Sequence, residues 1–170
     1  MESTTIQVSD AALQAAGAEG MDEFIKVFTD QYIKVTGGVL TAETMPLLNG
    51  SQHSLLGYHY FREEVMDGGF VQLIQNGYGG YIFENPFAKA MRLFGAEEFS
   101  KLIYKAKKIY DENKVDLTKE HSYDDFMAMY EQYEAFDDLE EAFLDMEEEV
   151  TAIIAGYVDE HLEDFAEIMK

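Results

Sequence analysis

Apolar residues recur every three or four positions near the end of the chain, and this spacing constrains the fold more than any other feature. The steps between them are 3, 4, 3, 4, 3 and 4, which places all of them on one face of an α-helix. They are Phe136, Leu139, Phe143, Met146, Val150, Ile153 and Tyr157. We predict a long helix from about residue 137 whose apolar face packs into the core of its own domain.

The same segment carries a dense set of acidic residues and no basic residue. These are Asp137, Asp138, Glu140, Glu141, Asp145, Glu147, Glu148 and Glu149. Burial of a large apolar side chain contributes about 1.5–3 kcal/mol, which outweighs carboxylate repulsion of a few tenths of a kcal/mol per neighbouring pair. We therefore predict that the eight carboxylates point away from the apolar face. A homodimeric coiled coil is disfavoured, because it would oppose acid to acid.

The net charge of the chain narrows the class of partner. The sequence has 34 acidic residues against 12 Lys and Arg, which gives a net charge of −22. Of the acidic residues, 18 lie in the segment 120–170, where Lys170 is the only Lys or Arg. Phosphate binding depends on Lys and Arg, and a surface with this much negative charge therefore repels nucleic acid. We expect a cationic protein as the partner and no direct binding of nucleic acid.

Cysteine content and hydropathy bear on the compartment. The chain has no cysteine, which excludes disulfide bonds, thiolate catalysis and cysteine-ligated zinc. No basic and apolar leader opens the sequence, and no uncharged run reaches the roughly 18 residues that a membrane-spanning helix needs. The sequence predicts a soluble, cytoplasmic protein that does not bind membranes.

Helical spacing, interrupted by glycine and proline, extends through most of the remaining chain. The predicted helices cover about 21–36, 51–68, 70–76, 86–95, 97–110, 123–134 and 137 onward, with Asn85 as the N-cap of the fourth and a polar connection over 111–122. This pattern predicts an all-α fold, a compact single-domain bundle of about six or seven helices over 21–170. A weakly ordered segment, 1–20, precedes it.

The acidic segment 120–170 suggests how such a surface could work. Its net charge amounts to about one per 4.5 Å of helix, against about one per 1.7 Å of duplex DNA. Two or three acidic helices about 10 Å apart would approach the charge density of DNA. The surface could thus act as a decoy for a basic protein, or it could serve solubility alone. The candidate residues are the eight acids above, extended by Asp159, Glu160, Glu163 and Asp164.

Catalytic and metal-binding patterns are weaker. The four histidines, His53, His59, His121 and His161, form neither HExxH nor Glu-x-x-His. The segment 111–122 has Asp116 and Ser122 where a calcium loop needs Gly and Glu, and GYGGYIF, read as a flexible connector, lacks the Lys of a P-loop. We predict no catalytic residue, no metal ligand and no cofactor. Weak divalent-cation binding and a hydrolase with buried carboxylates stay open as alternatives.

The basic residues are expected to have internal partners. Lys101, Lys105, Lys107 and Lys108 form a short basic stripe. Since acid is in excess, we expect these lysines to pair with carboxylates of this chain or of a neighbouring subunit. His59 and Arg62 are expected at the edge of the core or beside Glu63 and nearby acids.

The segment LLNGSQHSLLGYHYFREEVMDGGFVQLIQNGYG resembles the signature of the DNA-mimic protein family, in which a helix ends in Glu-Val-Asn-Asn-Gly-Gly-Phe. The matching residues are Glu64, Val65, Gly68, Gly69, Phe70, Gln72, Asn76 and Gly79. Met66 and Asp67 stand in place of the paired Asn. The segment FDDLEEAFLDMEEEVTAIIAGYVDEHLEDFA is similar to the C-terminal pattern of the family, so the resemblance covers roughly 47–168.

This resemblance implies a helical fold in which Gly68, Gly69 and Phe70 form a structural turn. The characterised member of the family is known as a dimeric DNA mimic that occupies the DNA-binding face of a transcription factor. By resemblance we expect a non-catalytic bacterial protein that acts in transcription regulation on a basic, DNA-binding protein, with a homodimer left open. The alternative is an inhibitor or immunity-type protein that neutralises a basic toxin or nuclease.

Overall fold

The structure, a computed structural model, describes residues 5–170, and 78% of it is helical. Within that part of the chain there are nine α-helices, seven of which have at least seven residues. They are α1 (Asp10–Glu19), α2 (Met21–Thr36), α3 (Gly50–Gln75), α4 (Gly79–Phe83), α5 (Phe87–Leu93), α6 (Glu97–Thr118), α7 (Tyr123–Gln132), α8 (Asp137–Glu160) and α9 (Leu162–Phe165). The predicted all-α fold is confirmed. None of these helices is long and apolar enough to cross a membrane.

Two strands of three residues each pair in parallel. They are β1 (Gln7–Ser9) and β2 (Glu167–Met169), with Val8 opposite Ile168. Ser9 then caps α1, because its hydroxyl accepts a hydrogen bond from the backbone N–H of Ala12 at 3.2 Å. Residues 1–4 of the predicted weakly ordered segment lie outside the described residues. Weak order of the rest of that segment stays a prediction.

Contacts within the chain group into two compact units. One contains the described residues up to Leu56 together with Thr151–Lys170, and the other is Gly57–Val150. Helices α3 and α8 have residues in both units. The single-domain organisation predicted for 21–170 stays a prediction.

The unit Gly57–Val150 is built around a cluster of buried phenylalanine rings. Phe61 makes edge contacts with Phe70, Phe99 and Phe143 at ring-centroid distances of 5.6, 5.1 and 4.9 Å. Phe136 stacks on Phe70 at 5.1 Å. These five side chains are at most 1% exposed, so α3, α6 and α8 share one aromatic core.

In the other unit, two hydrogen bonds converge on the carbonyl of Phe165. The hydroxyl of Tyr32 donates to this oxygen at 2.7 Å, and Nε2 of Gln52 donates to it at 3.0 Å. Asn49 and Gln52 also form a reciprocal capping box at the start of α3, with N–H to side-chain oxygen distances of 2.8 and 2.9 Å. The start of α3 and the end of the chain are thereby joined.

Two predicted breaks are confirmed. Helix α2 ends at Gly37, whose φ of 71° is left-handed, and α3 is interrupted at Gly69, where φ is 80° and ψ is −171°. L-residues with a side chain rarely adopt such angles, so glycine is strongly favoured at both positions.

Helix α6 is longer than predicted, and the polar connection expected from residue 111 is wrong up to Thr118. The helix continues through a distortion at Asn113, where Nδ2 donates to the carbonyl of Ile109 at 2.9 Å. Leu117 is fully buried, and Gln75 donates a hydrogen bond to its carbonyl. The buried Leu117 and this hydrogen bond anchor the end of the helical segment.

The role predicted for Asn85 is also wrong. Helix α5 begins at Phe87, and no side chain bonds to its N-terminus. Asn85 Nδ2 instead donates to the carbonyls of Gly80 and Tyr81 at 3.2 and 3.3 Å, at the end of α4. The glycine-rich segment read as a flexible connector thus forms the short helix α4, and Asn85 closes it.

Candidate partner-binding surface

Six of the predicted carboxylates lie on one exposed face of α8. They are Asp137, Asp138, Glu141, Asp145, Glu148 and Glu149, and we call these six residues the α8 acidic face. At about 100° per residue, they fall within an arc of about 120°. Asp137, Glu141, Asp145 and Glu148 follow each other at steps of 4, 4 and 3, which makes a continuous row. Their exposure is as expected, and their binding to a partner stays a prediction.

The other two acids of this segment face inward, so the prediction that all eight point outward is wrong. Glu147 is 9% exposed, and its Oε1 accepts a hydrogen bond from Nε of Arg62 at 2.5 Å. Glu140 is half-buried, and its Oε1 accepts from the backbone N–H of Phe70 at 2.8 Å. Both carboxylates attach α8 to α3.

The inward turn of Glu147 follows from the pitch of the helix. The predicted apolar series repeats every 3.5 residues, whereas an α-helix has 3.6 residues per turn, so the series drifts by about 20° per heptad. The buried positions are Phe136, Phe143, Glu147, Val150, Thr151, Ile154, Ala155 and Val158. Ile153 and Tyr157 of the predicted series are only half-buried.

The carboxyl of Glu140 has an altered proton affinity. Burial raises its pKa, the negative charge of Asp137 raises it further, and the hydrogen bond from the Phe70 N–H acts in the opposite direction. Phe70 opens the second segment of α3, immediately after the break at Gly69. Glu140 therefore acts as an N-terminal cap for that segment, although it belongs to another helix.

The predicted turn at Gly68 and Gly69 has no room for side chains. A Cβ on Gly69 would lie 2.2 Å from Oε1 of Glu140, and one on Gly68 would lie 1.9 Å from Oε1 of Gln72. The carbonyl of Gly68 accepts a hydrogen bond from the hydroxyl of Tyr130 at 2.9 Å. The turn is consequently the place where α3, α7 and α8 meet.

A polar cluster joins the two segments of α3. Oε2 of Glu64 accepts hydrogen bonds from Nε2 of Gln72 at 2.9 Å and from Nδ2 of Asn76 at 2.8 Å. Nε2 of Gln72 also donates to Oδ2 of Asp67 at 2.9 Å. These residues fix the angle of the break in α3.

The remaining predicted surface acids lie in the other unit. Asp159 and Glu160 end α8, and Glu163 and Asp164 belong to α9. All four side chains are exposed. Their part in partner binding stays a prediction.

Comparison with known proteins places the chain in a family. A family model described as DMP19-like protein matches residues 46–161. The chain belongs to this family. A relative from Neisseria meningitidis serogroup B (strain ATCC BAA-335 / MC58), named "DNA mimic protein DMP19", is 32% identical over 127 residues, which are 74% of this chain and 77% of the relative. The resemblance to the DNA-mimic family that was predicted from sequence is confirmed.

In this DMP19-like protein, α3 contributes exposed acids that sequence reasoning missed. The side chain of Glu63 is 64% exposed, and Asp67 is also exposed one turn later. Both flank the motif residues, which were predicted to form only a turn. The i, i+4 spacing of Glu63 and Asp67, which places both on one face of a helix, was the signal in the sequence for this acidic surface. What could not be seen is that α8 packs beside this helix.

The basic residues of this DMP19-like protein form internal ion pairs. Lys101 contacts Glu98 at 3.2 Å, Lys107 contacts Asp111 at 2.5 Å, and Lys114 pairs with Glu84. The pairing expected for the basic stripe is thus present for Lys101 and Lys107. His59 lies 3.7 Å from Glu63, as expected.

Side chains that could bind a metal do not converge. Within residues 5–170, no group of three or more His, Asp or Glu side chains is arranged to hold a metal ion. Asp116, from the segment that superficially resembles a calcium loop, accepts hydrogen bonds from the side chains of Gln132 and Tyr133 instead. Burial, together with the hydrogen bond from its hydroxyl to Asp116, raises the pKa of Tyr133 to about 12.

Proposed function

We propose that this protein is a non-catalytic DNA mimic that occupies the basic surface of a DNA-binding protein. The observation that carries the proposal is the α8 acidic face, in which six exposed carboxylates share an arc of about 120° on one helix. The name of the relative from Neisseria meningitidis, a DNA mimic protein, supports the same function.

The spacing of the carboxylates suits a basic surface. Steps of three or four residues separate the charges of the row by about 4.5–6 Å along the helix axis. Helix α8 contains no Lys or Arg that would neutralise them. A protein surface that places lysines and arginines to contact successive phosphates meets a comparable run of negative charge here.

The inward acids support binding over catalysis. A hydrolase that uses carboxylates needs two of them near the same reacting atom, with pKa values pushed apart. Glu140 bonds instead to the backbone of Phe70, and Glu147 bonds to Arg62. Both side chains have structural partners that attach α8 to α3, which favours a role in presenting the surface.

A DNA-competition experiment tests the proposal. The protein is immobilised, host lysate is applied at low salt, and bound protein is eluted at high salt. We expect a basic protein whose binding to DNA is displaced stoichiometrically by this chain. The variant Glu141→Lys/Asp145→Lys/Glu148→Lys should lose that protein, because it reverses charge along the row without touching Glu140 or Glu147.

The matched control carries the same change of net charge elsewhere. Asp30, Glu112 and Glu120 are exposed and lie outside α8, so their joint replacement by lysine should leave capture intact. Equal loss in both variants would show that only net charge matters and would refute the assignment to the α8 acidic face. Capture of a basic toxin or nuclease whose enzymatic activity is inhibited would support the immunity-type alternative. Absence of any salt-eluted partner would contradict mimicry.

A further inference from the structure

Two side-chain contacts fix how α3 and α8 lie beside each other. Arg62 pairs with Glu147, and the backbone of Phe70 bonds to Glu140. Going from the first contact to the second, the residue number rises by eight on α3 and falls by seven on α8. The two helices are therefore antiparallel neighbours over about two turns, all within the unit Gly57–Val150.

An open groove of about 500 Å³ lies along α3 beside these contacts. It is lined by Arg62, Glu63, Glu64, Met66, Asp67 and Gln72. Three carboxylates thus border it, and Nε of the one guanidinium already contacts Glu147. The groove is a concave feature of α3 with a surplus of negative charge.

Exposed apolar side chains occupy the middle of this region. Met66 is 44% exposed and lies midway between Arg62 and Phe70 on α3. Leu144 is 56% exposed and lies midway between Glu140 and Glu147 on α8. The antiparallel register brings both residues to the same level of the two helices. Acids then border an apolar centre: Glu63 and Asp67 on α3, and Glu141 and Glu148 on α8.

We propose that this region is a docking site for a basic α-helix that carries an apolar side chain among its lysines and arginines. The inference rests on the proposed function and specifies the partner element. Long basic side chains pack their aliphatic stems on apolar surface while their charged ends reach nearby carboxylates. Met66 and Leu144 provide the apolar part, and the groove and the bordering acids provide the charges.

The width of the region suits a helix. Neighbouring helices lie 8–10 Å apart, and an α-helix with side chains is about 10–12 Å across, so one helix can contact the acids of both α3 and α8. DNA-binding proteins commonly insert a helix between two phosphate backbones in the major groove. An apolar centre between the charged rows adds binding that salt does not screen.

Two synthetic helical peptides of about 18 residues, roughly five turns, provide the test. Both carry the same number of lysines, and the positions between the lysines are leucine in one and glutamine in the other, which have similar helix propensity. Fluorescence anisotropy gives their affinities for the full chain from about 0.05 M to about 0.5 M salt. We expect the leucine peptide to bind about tenfold more tightly and to lose less affinity as salt rises.

Matched variants locate the effect. Met66→Gln/Leu144→Gln should remove the preference for the leucine peptide, whereas Val115→Gln should not, since Val115 is 87% exposed on α6. Equal affinity for both peptides, or a preference that survives in the double variant, would overturn the docking proposal. In that case the variant Glu141→Lys/Asp145→Lys/Glu148→Lys still decides the proposed function. If it abolishes peptide binding, the mimic function stands without the docking site. If neither peptide binds, the docking proposal fails, and the mimic function is then decided by the lysate capture and DNA competition alone.

Discussion

Helices α6 and α8 have similar lengths and opposite treatments of charge. Helix α6 carries five acidic residues and five lysines over 22 residues, and three of those lysines form ion pairs within the chain. Helix α8 carries ten acidic residues and no lysine or arginine over 24 residues. Its inward acids have partners, and its outward acids form the α8 acidic face.

The comparison separates two uses of a charged helix. On α6, neighbouring opposite charges largely cancel, so the exterior of the helix has little net field. Helix α8 is also amphipathic, but all its exposed charges are negative. Contacts of its buried face must therefore hold the helix in place. Different residues of α8 therefore determine the stability of the fold and the negative charge of the surface, and a substitution can change one property without the other.

The largest expected effect is on the buried face of α8. Phe143 is fully buried, with ring centroids 4.9 Å from Phe61 and 5.5 Å from Phe99. We expect Phe143→Ala to lower the free energy of unfolding by about 3–5 kcal/mol, because it leaves a cavity in the aromatic core. Urea denaturation followed by circular dichroism measures it. Leu144 is adjacent but exposed, so Leu144→Ala should change the free energy of unfolding by less than about 0.5 kcal/mol. Equal losses of stability in the two variants would contradict the division of α8 into a stabilising buried face and an exposed face.

A second large effect is expected at the turn that receives Glu140. Gly69→Ala should lower the free energy of unfolding by about 2–3 kcal/mol, since the backbone at φ 80° and ψ −171° disfavours a Cβ and the new atom would meet Glu140. Thermal or urea denaturation tests it. Gly156 has open space around it, so Gly156→Ala should stabilise α8 by about 0.5–1 kcal/mol. Stabilisation by both substitutions would show that the turn is not strained.

A smaller effect concerns pH. The pKa of Glu140 is raised above its ordinary value of 4.5, so the folded protein holds this proton more tightly than the unfolded chain does. Its contribution to stability is greatest below about pH 4.5 and is lost as pH rises through the folded-state pKa. The stability of the wild type relative to Glu140→Gln should therefore fall across that window. Glu141→Gln, at an exposed neighbouring position, is the control, and a rising difference for Glu140 would contradict the sign.

The smallest expected effects compare the exposed faces directly. Asp145 has Glu141, Glu148 and Glu149 as helical neighbours, so Asp145→Lys should raise the free energy of unfolding by about 0.5–1 kcal/mol. Asp111 contacts Lys107, so Asp111→Lys should lower it by about 0.3–0.5 kcal/mol. Urea denaturation at low salt measures both, and about 0.5 M salt should shrink both differences. Changes of the same sign would remove the contrast between α6 and α8.

Local patterns predicted the elements that depend on local physics. Helix α2 ends at a left-handed glycine, and α3 breaks at Gly69, because both positions need a backbone conformation that glycine alone adopts readily. The apolar series likewise predicted α8 and its core contacts through Phe136, Phe143 and Val150. The family resemblance predicted a DNA-mimic relative, which the comparison then found.

Long-range contacts decided what the sequence could not predict. Glu147 turns inward to meet Arg62, 85 positions away, and Glu140 turns inward to meet Phe70, 70 positions away. Helical pitch brings both acids toward the buried face of α8, unlike Glu148 and Glu141, but only the distant contacts on α3 show how their carboxylates are satisfied there. The same limit applies to the end of α6, where the polar segment is helical and anchored by the buried Leu117.

The parallel pairing of β1 and β2 has a mechanical consequence. Gln7 lies opposite Glu167, and Ser9 lies opposite Met169, so the chain enters the ladder at one end and leaves it at the other. Tension applied between the two chain ends would pull the strands past each other instead of separating them one pair at a time. The hydrogen bonds of the ladder would then be loaded together in shear, and this pair of three-residue strands would resist extension of the chain.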